Sequence, residues 1–398
     1  MPWSQTTLMD QKTQFIADYL RETFSFTELC ARYGVSRETG YRLVERYLVE
    51  GPAGLLERSR RPHTSPNATE AHIVEALLEV RRRHPRWGAK KLIPLVEKRH
   101  PSWDLPERST VCDILKRHGM VPKKRRRRAI GHPGRPTSRV LAPNDLWCAD
   151  FKGEFKTGDG IYCYPLTVTD EHSRYLLGCQ GLLSTKVAQA KPVFTRLFKE
   201  YGLPKRIRTD NGVPFATNTL ARLSKLSAWW VRLGVLPELI EPGKPQQNGR
   251  HERMHRTLKA ETTRPPAGSC RAQQRKFNRF QEEFNDERPH EALDMRPPAS
   301  CYESSPREMP NKLPSLEYPD RFEVRYVSAN GGIRWRKDWV NVSIVCAGEY
   351  VGLEEIDDGL WNVYFGPLKL GRLHERQMRI EDAYGRLRRH SASRTDAR

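Results

Sequence analysis

Along this chain the spacing of hydrophobic positions changes twice, and each change marks a different kind of structure. In the first 120 residues apolar side chains return every three or four positions. Residues 70–83 carry Ile73, Leu77 and Val80 on one stripe, widened by Val74 and Leu78, which predicts an amphipathic helix. Residues 88–99 predict a second, interrupted by Pro94. A third is capped by Ser109 and runs through Val111, Ile114, Leu115 and His118 to a stop at Gly119. Upstream, residues 25–49 have helix–turn–helix punctuation: Ser25 and Glu28 as a capping box, Gly34 for the tight turn and Ser36 as the second cap. Leu29, Tyr33 and Val35 are expected to pack against Tyr41, Val44 and Leu48. Gly40 should weaken the second helix, since Gly costs about 1 kcal/mol against Ala there.

From residue 146 the runs shorten and fill with aromatic and aliphatic residues. Leu146–Glu154, Ile161–Thr169 and Arg174–Gly181, separated by Gly/Asp turns, predict three strands of an antiparallel meander. Ser184–Tyr201 returns to helical spacing through Ala190, Phe194, Leu197, Phe198 and Tyr201, with Pro192 expected to kink it. Arg206–Arg208 predicts another strand, ending in the turn Asp210-Asn211-Gly212. A β-β-β-α-β-α order implies a mixed sheet with helices packed on it. Residues 276–300 would close this unit with a helix and a turn. From Tyr318 to Ile380 short alternating strands and the turn pairs Asn330-Gly331 and Asp358-Gly359 predict a small antiparallel barrel.

Charge adds a partner to this outline. The 398 residues hold 69 Lys and Arg against 48 Asp and Glu, a net +21. That excess suits a polyanion, with nucleic acid the first candidate. It is unevenly spread: residues 1–140 carry 28 basic against 15 acidic residues, residues 141–310 carry 26 against 20, and the remainder 15 against 13. The densest run, Lys123 to Arg128, is followed by Gly131, Pro133, Gly134 and Pro136, and reads as a flexible basic linker. DNA rewards such a run by releasing counterions for each phosphate neutralised. No run of eighteen apolar residues exists, and the N-terminus lacks the apolar stretch of a secretory signal. Eight Cys stand singly without a CxxC pair, as expected of reduced cytoplasmic thiols.

Three acids carry the candidate chemistry. Asp150 lies in the middle of a predicted strand, an unfavourable place for a carboxylate unless something stabilises its charge. Asp210 ends another strand, and Glu252 opens a helix after the loop GKPQQNGR. Folding alone can bring these together, and hard divalent cations prefer such oxygen ligands. Mg2+ is the natural choice, as a pair of ions with Mn2+ as a substitute. Arg256 and Lys259, four and seven residues after Glu252, place a basic stripe beside the acid that suits a backbone phosphate. Glu238 and Glu241 compete with Glu252 for the third position. Each acid alone is more often a cap, a turn residue or a surface charge; the joint pattern favours ligands.

The stretches LWCADFKG, TVTDEHSRYLLG, RTDNGVPF, GKPQQNGRHERMHRTLK and FNDERPHEALDMRPPASCY resemble the bacterial insertion-sequence transposases with a retroviral-integrase-type catalytic core. GPAGLLERSRRP is similar to the hinge after their first helix–turn–helix. The resemblance implies N-terminal all-α helix–turn–helix modules, a central α/β RNase H-like core and a C-terminal small β-barrel similar to SH3 domains. It implies Asp150, Asp210 and Glu252 as the catalytic, metal-binding triad, which would cleave element ends and join the freed 3′-OH to target DNA. The spacing from Asp210 to Glu252 is longer than usual for the family, through ARLSKLSAWWVRL, and the family's Arg288-Pro289-His290 motif would pack the last helix or touch DNA. The domains expected are 1–62 and 63–122 (two helical DNA-binding units), 123–140 (basic linker), 141–306 (core), 307–384 (barrel) and 385–398 (basic tail).

Residues expected to contact DNA are Arg37, Arg42, Arg46, Lys116, Arg117, Lys123, Lys124, Arg125, Arg126, Arg127, Arg128, Arg256 and Lys259. The partners implied are element ends, target DNA and further copies of the chain in a synaptic dimer or larger assembly, in the bacterial cytoplasm and without a membrane. For the second helical unit, dimerisation is the alternative. For the whole chain, the alternatives are a non-catalytic helix–turn–helix regulator with a decayed core, or a structure-selective nuclease of the same fold.

Overall fold

In a computed structural model of the chain, residues 7–58, 68–121, 139–241, 245–382 and 385 are described. The run Lys123–Arg128 and most of the basic tail lie outside them. The chain divides into two units, residues 1–70 and 71–398.

The first unit holds α1 (Leu8–Leu20), α2 (Phe26–Arg32) and α3 (Arg37–Glu50), followed by a 3-10 turn at Gly51–Leu55. The capping box of Ser25 and Glu28 forms, and Ser36 caps α3. The core is Phe15, Ile16, Leu29, Cys30, Val44 and Leu55. Helix α1 therefore supplies much of the interior, and two expected core residues are displaced: Tyr41 is 60% exposed and Leu48 66% exposed. Tyr41 instead lies flat on the Phe26 ring, 4.0 Å between centroids. Gly40 is buried where the three helices meet, and a Cβ there would sit 2.7 Å from Cys30 Sγ and 3.2 Å from Phe15. Its propensity cost is outweighed by the close approach that a bare backbone permits.

The second unit begins with α4 (Ala71–Arg83), α5 (Ala89–Arg99) and α6 (Arg108–Arg117), packed around Leu77, Trp87, Leu92, Val111 and Ile114. Helix α5 runs through Pro94 unbroken, anchored by Leu92, Leu95 and Val96 on its buried face. The cap residue of α6 is Glu107, with Ser109 already inside the first turn.

A mixed sheet follows: β1 (Trp147–Phe151), β2 (Phe155–Lys156), β3 (Tyr162–Asp170), β4 (Leu176–Leu182), β5 (Arg206–Thr209) and β6 (Leu236–Leu239). β1, β3 and β4 form the expected antiparallel meander, and β5 and β6 extend the sheet parallel to β1. Helices α7 (Val187–Tyr201) and α8 (Lys225–Arg232) cover one face, with Phe194, Phe198 and Trp230 on Trp147, Leu166, Val168 and Ile207. Pro192 lies within α7 without ending it. Helices α9 (Gly249–Thr262) and α10 (Cys270–Glu282) cover the other face through Met254, Leu258, Phe277 and Phe280. This is the α/β core expected. The long spacing before Glu252 is spent on α8: Trp229 and Trp230 face the sheet, while Ala228 and Val231 join the core of the C-terminal region.

That region contains β7 (Glu323–Tyr326), β8 (Gly332–Trp335), β9 (Asp338–Asn341), β10 (Tyr350–Asp357), β11 (Leu360–Phe365), β12 (Leu368–His374) and β13 (Arg379–Glu381). The predicted hairpins form, but hydrogen bonds give an open five-stranded sheet, β13-β12-β11-β10-β7, and a separate β8–β9 hairpin. Val327, Ile333, Trp335, Val340, Leu353 and Val363 fill one core between them. Side-chain burial, rather than a continuous ladder of hydrogen bonds, joins the two pieces.

Candidate active site

Alternation along β1 turns Trp147 and Ala149 into the apolar face and Asp150 to the other, the face that α9 covers. Thr167 of β3 lies directly across from Asp150. β1 and β5 pair in parallel with Cys148 opposite Arg208. Two residues beyond Arg208, Asp210 follows the end of β5, and its charge acts on Asp150. Asp210 opens the predicted turn: the Gly212 N–H donates to its Oδ1 at 3.2 Å, and the Asn211 amide donates to the Ile240 carbonyl at 2.9 Å. Glu252 stands exposed in the first turn of α9.

Burial pushes the Asp150 carboxyl up to about 7, and the negative charges of Asp210 and Glu252 push in the same direction. The competing acids are otherwise engaged. Glu238 pairs with Arg208 at 2.6 Å and Arg206 at 3.2 Å, and Arg208 is only 2% exposed, so its guanidinium depends on that carboxylate. Glu241 accepts from the Gln247 amide at 2.7 Å.

Asp150 and Glu252 line a pocket of about 650 Å3 together with Arg86, Lys152, Arg256, Lys259 and Arg264. The stripe of Arg256 and Lys259 thus lies beside the acids. Elsewhere, Arg37 and Arg42 are exposed on α3, and Lys116 and Arg117 are exposed on the last turn of α6. Arg46 is half-buried and donates to the Leu56 carbonyl at 2.6 Å, so its guanidinium fastens the turn after α3.

Two neighbours of Glu252 were not singled out from the sequence. His251 and His255, 2% and 4% exposed, project from α9 onto β3. Both ring nitrogens of His251 meet hydroxyls, Thr167 at 2.7 Å and Thr169 at 2.8 Å. His255 Nε2 lies 2.5 Å from Thr167 Oγ1, and its Nδ1 lies 3.6 Å from Asp150. Burial holds the His251 pKa down to about 3, and burial with the nearby charge of Lys152 holds His255 well below its ordinary value. Asp150, His251 and His255 are close enough to share an ion. With both nitrogens of His251 already engaged, the cluster reads as a hydrogen-bonded backing for Asp150. The available signal was the i, i+4 pair of histidines bracketing Glu252 in HERMHR, which places both on one helix face.

Comparison with known proteins decides the wider identity. Residues 141–245 and 233–298 match models of the integrase core domain. Residues 11–63 match a helix-turn-helix domain, and residues 39–115 a homeodomain-like domain. An uncharacterized 31.7 kDa protein of insertion element IS407 from Burkholderia multivorans is 25% identical over 59% of this chain and 82% of its own length. An uncharacterized 39.2 kDa protein of insertion element IS476 from Xanthomonas euvesicatoria is 26% identical over 62% of this chain and 69% of its own. Together these matches support an insertion-sequence transposase with an integrase-type core. Among solved structures, the HTLV-2 integrase catalytic core domain in complex with magnesium is similar at 15% identity and a TM-score of 0.34, covering 42% of this chain and all of that one. As a transposase the chain combines helix–turn–helix DNA-binding units with the core, and among its described residues no helix is long and apolar enough to cross a membrane.

Proposed function

We propose that this transposase cleaves the ends of its element and transfers the freed strands into target DNA at the pocket lined by Asp150 and Glu252, with Asp210, whose charge acts on Asp150, as the remaining acid. The observation that carries this reading is the placement of Asp150, withdrawn from water beside Glu252 in one pocket and within reach of the Asp210 charge. Burial and two like charges disfavour ionised Asp150, a penalty that a hard divalent cation bound between the carboxylates would remove. An all-oxygen donor set fits Mg2+, and these three residues would hold it. When bound, a pair of Mg2+ ions, or Mn2+ in their place, would polarise the scissile phosphate and activate the attacking oxygen.

The chain's own residues do the remaining work. Arg256 and Lys259 hold a phosphate beside the acids, and Lys152 adds charge on the β1 side. The hydroxyl–imidazole network of Thr167, His251 and His255 fixes the orientation of Asp150. The reaction class is phosphodiester hydrolysis at each element end, followed by in-line attack of the 3′-OH on a target phosphorus with loss of the neighbouring 3′-oxygen. Residues 1–62, 63–122 and the run 123–140 would grip the ends, with Arg37, Arg42, Lys116 and Arg117 as described contacts. The domain expected at 307–384, whose described strands form an open sheet and a hairpin on one shared core, would support the catalytic core. Two ends must meet, so a homodimer or larger synaptic assembly acting on cytoplasmic DNA completes the reading.

Asp150→Asn tests it. The substitution removes a ligand charge and leaves the end-binding units untouched, so cleavage of an end-bearing duplex should fall on the order of 10^3-fold or more. Binding of the same duplex should stay within about twofold. Normal cleavage by Asp150→Asn defeats the assignment.

A further inference from the structure

The α4–α5 corner, Arg83 to Lys91, is docked on the segment that follows α10. Arg83 pairs with Glu287 at 2.9 Å, His84 lies 3.1 Å from Glu283 and 3.5 Å from Glu287, and Lys90 pairs with Glu291. Between these pairs Trp87, 1% exposed, meets the Arg288 guanidinium 5.6 Å from its ring centroid, and Arg288 holds Glu261 of α9 at 3.2 Å. The exposed pairs contribute little by themselves. Trp87, His84 and Arg288 are withdrawn from water, and they carry the dock. The Arg288-Pro289-His290 motif thus acts here as part of a socket for the helical module.

This dock determines where Arg86 goes. Its neighbours His84 and Trp87 are both buried against the core, while Arg86 itself is exposed and lines the pocket of Asp150 and Glu252. Glu261 of α9 acts on it by charge, but that carboxylate is held by Arg288 at 3.2 Å, and among the described residues no carboxylate forms an ion pair with Arg86. Arg256 and Lys259 reach the same pocket from α9, so Arg86 is the contribution of a different structural module. A guanidinium presents a planar fork of donors that matches a phosphate in two contacts, and an unpaired one in a cleft for DNA is ready to use them.

We propose that Arg86 is a phosphate-binding residue of the catalytic pocket, carried in by the helical module to hold a backbone phosphate of the DNA end beside the scissile one. The module that reads the end then also completes the site that cuts it. This inference rests on the assignment of Asp150, Asp210 and Glu252, and its test separates the two.

Full-length protein is assayed on a duplex bearing the terminal inverted repeat of its own element. Arg86→Gln should cut at least about tenfold more slowly, the loss expected for one charge-assisted contact. The slope of binding against salt should fall by about one phosphate, and the melting temperature should be unchanged because the side chain is exposed. Arg86→Lys should recover part of the rate. Glu287→Arg, which opposes Arg83 without touching the pocket, should slow cleavage in the same way, and adding Arg83→Glu in the same chain should restore it. Wild-type cleavage by Arg86→Gln, with Asp150→Asn inactive, overturns this inference and leaves the active-site assignment standing. Normal cleavage by Asp150→Asn overturns both. Unaltered cleavage by Glu287→Arg overturns delivery of Arg86 by the dock.

Discussion

On one face of the central sheet, Trp147, Leu166, Val168 and Ile207 meet Phe194, Phe198 and Trp230 in a dry interior. On the other face, one residue further along the same strands, Asp150, Thr167 and Thr169 meet His251 and His255 of α9. The strands are shared, so the contrast comes from the two-residue period of a β-strand, which gives each strand one set of side chains for burial and another for chemistry. The apolar face resists changes of volume. The polar face resists the loss of a partner, because each group withdrawn from water needs one.

The largest expected effect is therefore on the dry face. Trp230 is fully buried and meets Phe194 edge to face with centroids 4.9 Å apart. Trp230→Ala should cost about 3–5 kcal/mol of stability in a urea titration, from lost transfer free energy and an unfilled cavity. A cost below about 1 kcal/mol would mean that this face is not the mechanical core.

The same contrast explains what could be read from the chain. The dry face was legible because Ala190, Phe194, Leu197 and Phe198 follow a helical period and β1, β3 and β5 follow a strand period, both local patterns. Asp150, Asp210 and Glu252 were legible because each breaks its local pattern in a distinctive setting. The partners that settle the polar face were not. Arg208 with Glu238, Thr167 with His251 and His255, and Arg83 and His84 with Glu287 and Glu283 are joined across long stretches of chain that leave no periodicity. Pro94 misled in the opposite sense, since tertiary burial of α5 overrides a local breaker. In the C-terminal region alternation identified strands but not whether their ladder closes.

A middle-sized effect distinguishes acids of the polar face that hold structure from those assigned to chemistry. Glu238→Gln keeps the shape but removes the charge opposite the buried Arg208 guanidinium. It should cost about 2 kcal/mol in the same titration, the range for a hydrogen bond to a charged group. Cleavage measured well below the denaturation midpoint should persist. A variant of full stability that fails to cut would transfer the third catalytic position from Glu252 to Glu238.

The smallest effect at neutral pH shows the contrast through a buried histidine on the α9 side. His290 packs its ring against Phe284 at 4.9 Å, and burial, then the charges of Lys91, Arg288 and Arg174, hold its pKa down to about 3 from an ordinary 6.5. A base whose folded pKa is depressed stays neutral in the native state while the unfolded chain binds a proton, so between about 3 and 6.5 the unfolded state carries more protons. Its contribution is complete above pH 6.5 and is lost as the pH falls through that window; the buried His251 acts in the same sense. His290→Gln removes one such proton difference. Plotted against pH, the stability of this variant should fall less steeply below 6.5 than that of the wild type, with parallel curves above. Trp230→Ala should lower the whole curve without changing its slope, since no titratable group is lost. Equal slopes for His290→Gln and wild type would show that His290 is solvated in the native protein, and the acid sensitivity of this side of the sheet would then fall to His251 and His255.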